Sequence, residues 1–200
     1  MILVSGPPAV GKTTFADWLS SEICAPLVCR DRVIGKSIEI GRNNFEGVPL
    51  GNEEHNRIFA SGGSLPFVLY WFFCEEIMKS SSPLIIESVF KIKEKEIING
   101  LVEKYKYQTI NVHFDASIEA IHRRFNDRTY NNWGNEVKKP KKITEIPLEW
   151  FGKAFGQGGE GQDVKNFRYG DCIMYVDTTD FSTVSYTDIA EQIRRYTRTK

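Results

Sequence analysis

The 200-residue chain has little that would brace a fold covalently or fix it to a surface. Its four cysteines, Cys24, Cys29, Cys74 and Cys172, form no CxxC pair and have no histidine at ligand spacing. A disulfide framework and a zinc knuckle are therefore not expected; the reading is four reduced, mostly buried thiols. The three histidines, His55, His113 and His122, are scattered and take no role. Net charge is absent too: 26 basic residues face 26 acidic ones. That argues against an indiscriminate binder of nucleic acid or of a membrane surface, though it leaves room for a local basic patch. The most apolar window, Leu65 to Cys74, runs straight into Glu75 and Glu76. It is about half of the roughly twenty residues that a membrane span needs, so it predicts a buried helix and no membrane partner. Met1-Ile2-Leu3-Val4-Ser5 has no basic stretch before it, so no secretory signal is expected and a cytoplasmic location is.

What is present is an ordinary globular balance, 41% apolar and 26% charged, enough to bury a core without staples. Short apolar runs alternate with helical periodicity. Ile2–Ser5, Leu27–Arg30, Pro83–Glu87, Thr109–Phe114 and Cys172–Val176 read as five strands. Lys12–Glu22, Asp31–Ile40, much of His55–Lys79, Lys93–Tyr105, Ser117–Arg128 and Thr187–Tyr196 read as helices. Arg42–Glu54, rich in Gly and Asn, reads as loop. Tyr130–Gly170 breaks the alternation, with only Leu148–Phe155 predicted helical, and predicts a lid or an insertion. Strands alternating with helices give an α/β sandwich around a mostly parallel sheet. No linker or repeat interrupts it, so residues 1–200 are expected to form one domain with an insertion over about 129–170.

The sharpest local signal is Gly6-Pro7-Pro8-Ala9-Val10-Gly11-Lys12-Thr13-Thr14. It matches the phosphate-binding P-loop pattern GxxxxGK[ST], with a strand leading in and a helix leading out. Gly6 and Gly11 let the backbone curl so that successive N–H groups face phosphate oxygens, and the helix start adds partial positive charge. Lys12 would reach the β and γ phosphates, and the Thr13 hydroxyl would ligate Mg²⁺. All nine residues are candidate nucleotide contacts. ATP is favoured over GTP because no Asn-Lys-x-Asp string occurs. Glu87, closing the third strand, stands where a carboxylate would hold a Mg²⁺-bound water. Pairing with Lys91 or Lys93 is its structural alternative, and Asp115 is the rival carboxylate.

With this loop, Cys29-Arg30-Asp31-Arg32 after the second strand, the arginine-bearing helix Glu119–Arg128 and Val176-Asp177-Thr178-Thr179, the chain resembles P-loop kinases of the AAA-domain predicted-kinase type. Their relatives include polynucleotide 5′-kinase, adenylylsulfate kinase and chloramphenicol phosphotransferase domains. The resemblance implies a three-layer sandwich whose five parallel strands lie in the order 2-3-1-4-5. It implies that Asp31 accepts the proton of the acceptor hydroxyl, against the alternative of a helix cap. It also implies that Arg124 and Arg128, four apart on one helix face, supply lid charge to the phosphates or the adenine face. A solvated helix that pairs Arg123 or Arg128 with Asp127 or Glu119 is the structural alternative. Polynucleotide kinases carry an arginine three residues after this aspartate; Ile34 stands here. The expected activity is transfer of the γ-phosphoryl of Mg-ATP to a hydroxyl of a small molecule. A nucleic-acid end kinase and a nucleotide-binding switch with little chemistry are the rivals. Trp133, Trp150, Phe151 and Phe155 would form a satellite core or stack on a base.

Overall fold

The computed structural model describes residues 1–44, 64–132, 147–155 and 162–198. Strands β1 (Ile2–Ser5), β2 (Leu27–Cys29), β3 (Ile85–Glu87), β4 (Ile110–Asp115) and β5 (Cys172–Asp177) form one sheet in the order β2-β3-β1-β4-β5. All four pairings are parallel. This is the architecture expected above. Each strand is short and apolar because both faces of a parallel sheet are covered.

Alternation along β1 sorts the core into two layers. Ile2 and Val4 face helices α1 (Lys12–Ile23) and α8 (Tyr186–Arg198), where Phe15, Leu19, Ile189 and Ile193 are buried. Leu3 faces the opposite layer, built from α3 (Ser64–Met78) and α4 (Lys95–Tyr105). Helix α2 (Arg30–Asn44) follows β2 directly, and α5 (Ile118–Asn132) follows β4. Part of the expected irregular insertion is ordered. Helix α6 (Leu148–Phe155) buries Phe151 in the main α1/α8 layer, not in a separate satellite cluster, and short α7 (Gln162–Lys165) leads to Phe167, stacked on Phe90 at 5.0 Å. Trp133 and the side chains of Trp150 and Phe155 lie outside the described residues.

Four expectations are corrected. Arg30 begins α2 instead of ending β2, and α2 runs on through Asn44, three residues into the expected loop. Only Cys29 and Cys74 are buried, whereas Cys24 is exposed. Helix α3 is apolar on every side yet buried on one: Tyr70, Trp71, Cys74 and Met78 are inside, while Val68 is 58% and Phe72 50% exposed. A helix in an outer layer buries only the stripe that faces the sheet. Among the described residues no helix is long and apolar enough to cross a membrane.

The α3/α4 face of the sheet also carries a polar row. Asn111 Nδ2 donates to Leu3 O at 3.2 Å and to Ser5 Oγ at 2.7 Å, which leaves the Ser5 hydroxyl to donate to His113 Nδ1 at 2.8 Å. Burial, with Arg168 nearby, pushes His113 from 6.5 down to about 4. The folded state thus holds His113 neutral while the unfolded chain takes up the proton below its ordinary value. Stability from this group is complete above about pH 6.5 and falls as pH drops toward 4, by about 3 kcal/mol in all. His113→Gln is expected to flatten that part of the slope. Urea unfolding of both proteins at about pH 7 and pH 4.5 measures it; parallel slopes would remove His113 as the source.

Candidate phosphate-binding cleft

The loop after β1 is built from unusual backbone. Gly6 has φ +135°, Ala9 +61° and Gly11 +86°. At Gly6 an added Cβ would lie 2.0 Å from Phe114 O, so the loop passes hard against β4. Val10 turns into the core and anchors the curl. Helix α1 then starts at Lys12 with no acidic residue in its own first turn to offset its positive end. Lys12 is only 5% exposed; its Nζ donates back to Pro7 O at 2.7 Å, laying the ammonium across the loop.

This curl floors a cleft of about 390 Å³ whose walls bring distant parts of the chain together. Pro8, Ala9, Gly11, Lys12, Thr13 and Thr14 line it, joined by Asp31, Glu87 and Arg124. Gly6 and Pro7 are buried at the loop's root. Asp31 reaches the cleft from the first turn of α2 and is exposed. It is not the helix cap, because α2 starts one residue before it. Glu87 is 3% exposed and pairs with neither Lys91 nor Lys93. Its Oε1 lies 3.8 Å from Lys12 Nζ, and its Oε2 accepts the Cys29 thiol proton at 2.9 Å. Burial and the facing Glu87 push the Cys29 thiol up to about 12, so sulfur keeps its proton. The rival carboxylate, Asp115, is occupied elsewhere: it accepts from Tyr175 Oη at 2.7 Å and lies 3.3 Å from Lys165 Nζ. Ser117 Oγ, accepting from the Ala120 amide at 3.3 Å, supports the start of α5.

Arg124, on α5, stands over the Phe181 ring at 4.0 Å and donates from Nη2 to Thr179 O at 2.9 Å. Its Nη1 is buried with no partner among the described residues. Phe181 in turn packs on the loop, since a Cβ at Gly11 would come within 2.8 Å of its ring. The turn after β5 is pinned by Thr178, whose N and Oγ1 both donate to Asp115 O at 2.8 and 3.0 Å. The Arg128 side chain lies outside the described residues.

Phe181 escaped the sequence reading, and Cys29 and Arg30 stood in it only as part of the Cys29-Arg30-Asp31-Arg32 segment, with no assigned role. Arg30 Nη1 donates to Ser88 Oγ at 2.9 Å and to Glu94 Oε2 at 3.1 Å, and its guanidinium lies over Phe67 and Tyr70 at 5.2 and 5.5 Å. Its place beside Asp31 at a strand end was the signal available. Arg32 turns away into a bidentate pair with Asp17 at 2.7 and 2.6 Å.

The loop geometry fits a triphosphate, and Thr13 with Glu87 fits a hard, water-bearing cation. Among the described residues no cluster of three or more His, Cys, Asp or Glu side chains could hold a metal ion. A cation here would complete its shell with phosphate oxygens and water.

No protein-family model matches the chain, and no curated protein matches it. Solved structures do. A candidate kinase from Chloroflexus aurantiacus J-10-fl superposes with a TM-score of 0.70 at 21% identity, over 99% of this chain and 95% of its own. A gluconokinase from Sinorhizobium meliloti 1021 gives 0.52 at 16%, over 95% and 86%. Shikimate kinase from Aquifex aeolicus gives 0.51 at 16%, over 98% and 95%. The five-stranded parallel sheet in the order 2-3-1-4-5, wrapped in helices, is thus the fold of the P-loop kinases.

Proposed function

We propose that this protein is an ATP-dependent phosphotransferase acting on a hydroxyl of a small molecule. One observation carries the reading: a lysine-bearing phosphate loop, two carboxylates from two different strand ends and a lid-helix arginine converge on one cleft. Bound Mg²⁺ would neutralise charge on the β and γ phosphates. The loop amides and Lys12 bind the triphosphate; Thr13 and Glu87, through water, hold the cation. Asp31, open to the cleft mouth, orients the acceptor hydroxyl and takes its proton. Arg124, with one buried nitrogen unpaired among the described residues, meets negative charge on the nucleotide. Arg128 would join it.

The fold neighbours named gluconokinase, sugar kinase and shikimate kinase favour a small acceptor over a nucleic-acid end. Zero net charge and Ile34 point the same way. The AAA-type relationship remains part of this proposal.

Asp31→Asn keeps the shape of the cleft and removes the base. It is expected to leave nucleotide affinity within about threefold while lowering acceptor-dependent turnover by about 10²- to 10⁴-fold. A pool of hydroxylated small molecules, screened for ATP-dependent phosphorylation, supplies the assay. Unaltered turnover in the variant would end the base assignment, and hydrolysis with no accepted hydroxyl across the pool would favour a nucleotide switch.

A further inference from the structure

The sheet register seats Cys29 directly beside Glu87 at the C-terminal ends of β2 and β3. The carboxylate is therefore shared between two neighbours, the thiol on Oε2 at 2.9 Å and Lys12 Nζ 3.8 Å from Oε1. Lys12 and Glu87 are both almost wholly buried, where attraction between opposite charges is strong and grows as they approach. Yet they stand about an ångström farther apart than a tight N–H···O contact. Each partner has a closer contact of its own: Pro7 O on the lysine at 2.7 Å and the thiol on the carboxylate. The thiol is held by the backbone as well, because Cys29 ends β2 and immediately precedes α2. That same first turn of α2 carries Asp31.

We propose that the Cys29 thiol is a positioning residue that holds Glu87 back from Lys12, keeping the lysine for phosphate and the carboxylate for the cation. This rests on the phosphotransferase reading of the cleft. An aspartate at this helix start would repel Glu87. An alanine would leave Oε2 buried without a donor, and the carboxylate would swing onto Lys12. The ammonium would then be neutralised inside the protein, and a triphosphate would have to break that pair to bind. A serine keeps a donor in nearly the same place, although its bond to carbon is shorter.

Calorimetric binding of a non-hydrolysable ATP analogue with Mg²⁺ tests this without any acceptor. Cys29→Ala is expected to weaken binding about tenfold, and Cys29→Ser to stay within about threefold of the parent. In a Glu87→Gln background the carboxylate charge is gone, so adding Cys29→Ala should change affinity by less than about twofold. A thiol that only packs or caps α2 would cost the same in both backgrounds, and that result overturns the proposal. Infrared spectra give a second arm should Cys29→Ala not fold. The S–H stretching band that vanishes in Cys29→Ser should lie low, as for a thiol bonded to a carboxylate, and move up in Glu87→Gln. A band at the free-thiol position overturns the proposal. Parent protein that binds no Mg-nucleotide would overturn the phosphotransferase reading instead, and is seen before any variant is made.

Discussion

Lys12→Met should lower kcat/KM for phosphoryl transfer by about 10³-fold. The reason is the placement of the ammonium as much as its charge. It is bound at Pro7 O and lies across the loop before any nucleotide arrives, so little reorganisation is needed when phosphate enters. Methionine fills nearly the same volume and removes the charge. Removing one member of a buried pair often destabilises by several kcal/mol. Here the penalty should be smaller, because Glu87 keeps the Cys29 donor. The variant should therefore fold and still lose transfer, a combination that thermal unfolding and single-turnover kinetics resolve together. Turnover within about tenfold of the parent would mean that Lys12 is not the phosphate ligand. Lys12→Arg should not rescue, since a planar, forked guanidinium cannot take the place of a compact ammonium tucked against Pro7.

The parts of this cleft that were legible in the sequence are those written in consecutive residues. Gly6 to Thr14 announce both the loop and its flanking strand and helix, and the five strands stand out as short apolar runs. Strand order is different: nothing in periodicity sets β3 between β2 and β1, and it came through resemblance to known kinases. Contacts made across the sheet were not legible at all. Cys29 and Glu87 are 58 residues apart and meet only because β2 and β3 pair in that register. Phe181 lies on Gly11 through the return of the chain after β5. Arg30 looked like the end of a strand because Leu27-Val28-Cys29 precede it, yet α2 starts on it. That one-residue difference moves Asp31 from the capping position into the first turn, where it lines the cleft. Glycines and prolines between Tyr130 and Gly170 masked α7, whose Val164, like the adjoining Phe167, is buried against the core, whereas α6 was read over its observed range. A helix that is short and docked by two or three side chains leaves too weak a period to read.

Gly6→Ala should be the most damaging single methyl in the chain. Two independent penalties meet at that position. The backbone sits at φ +135°, a conformation that a Cβ makes costly, and the new atom would stand 2.0 Å from the carbonyl oxygen of Phe114. That oxygen belongs to β4, which pairs with β1 as far as His113 and with β5 through Asp115, so it cannot retreat without disturbing the sheet. A stability loss of about 3 kcal/mol is expected, which corresponds to a fall in Tm of about 10 °C for a domain of this size. Gly11→Ala provides the contrast. Its Cβ would press on the Phe181 ring at 2.8 Å, the end of an exposed side chain that can swing aside. It should cost less stability than Gly6→Ala, about 1 kcal/mol for a Cβ at φ +86°, but displace the ring from beneath Arg124, and so weaken nucleotide binding more than it lowers Tm. Measuring Tm and nucleotide affinity for both variants separates the two roles of the loop. If Gly6→Ala melts within about 2 °C of the parent, then β1 and β4 do not clamp the root of the loop as the structure has it.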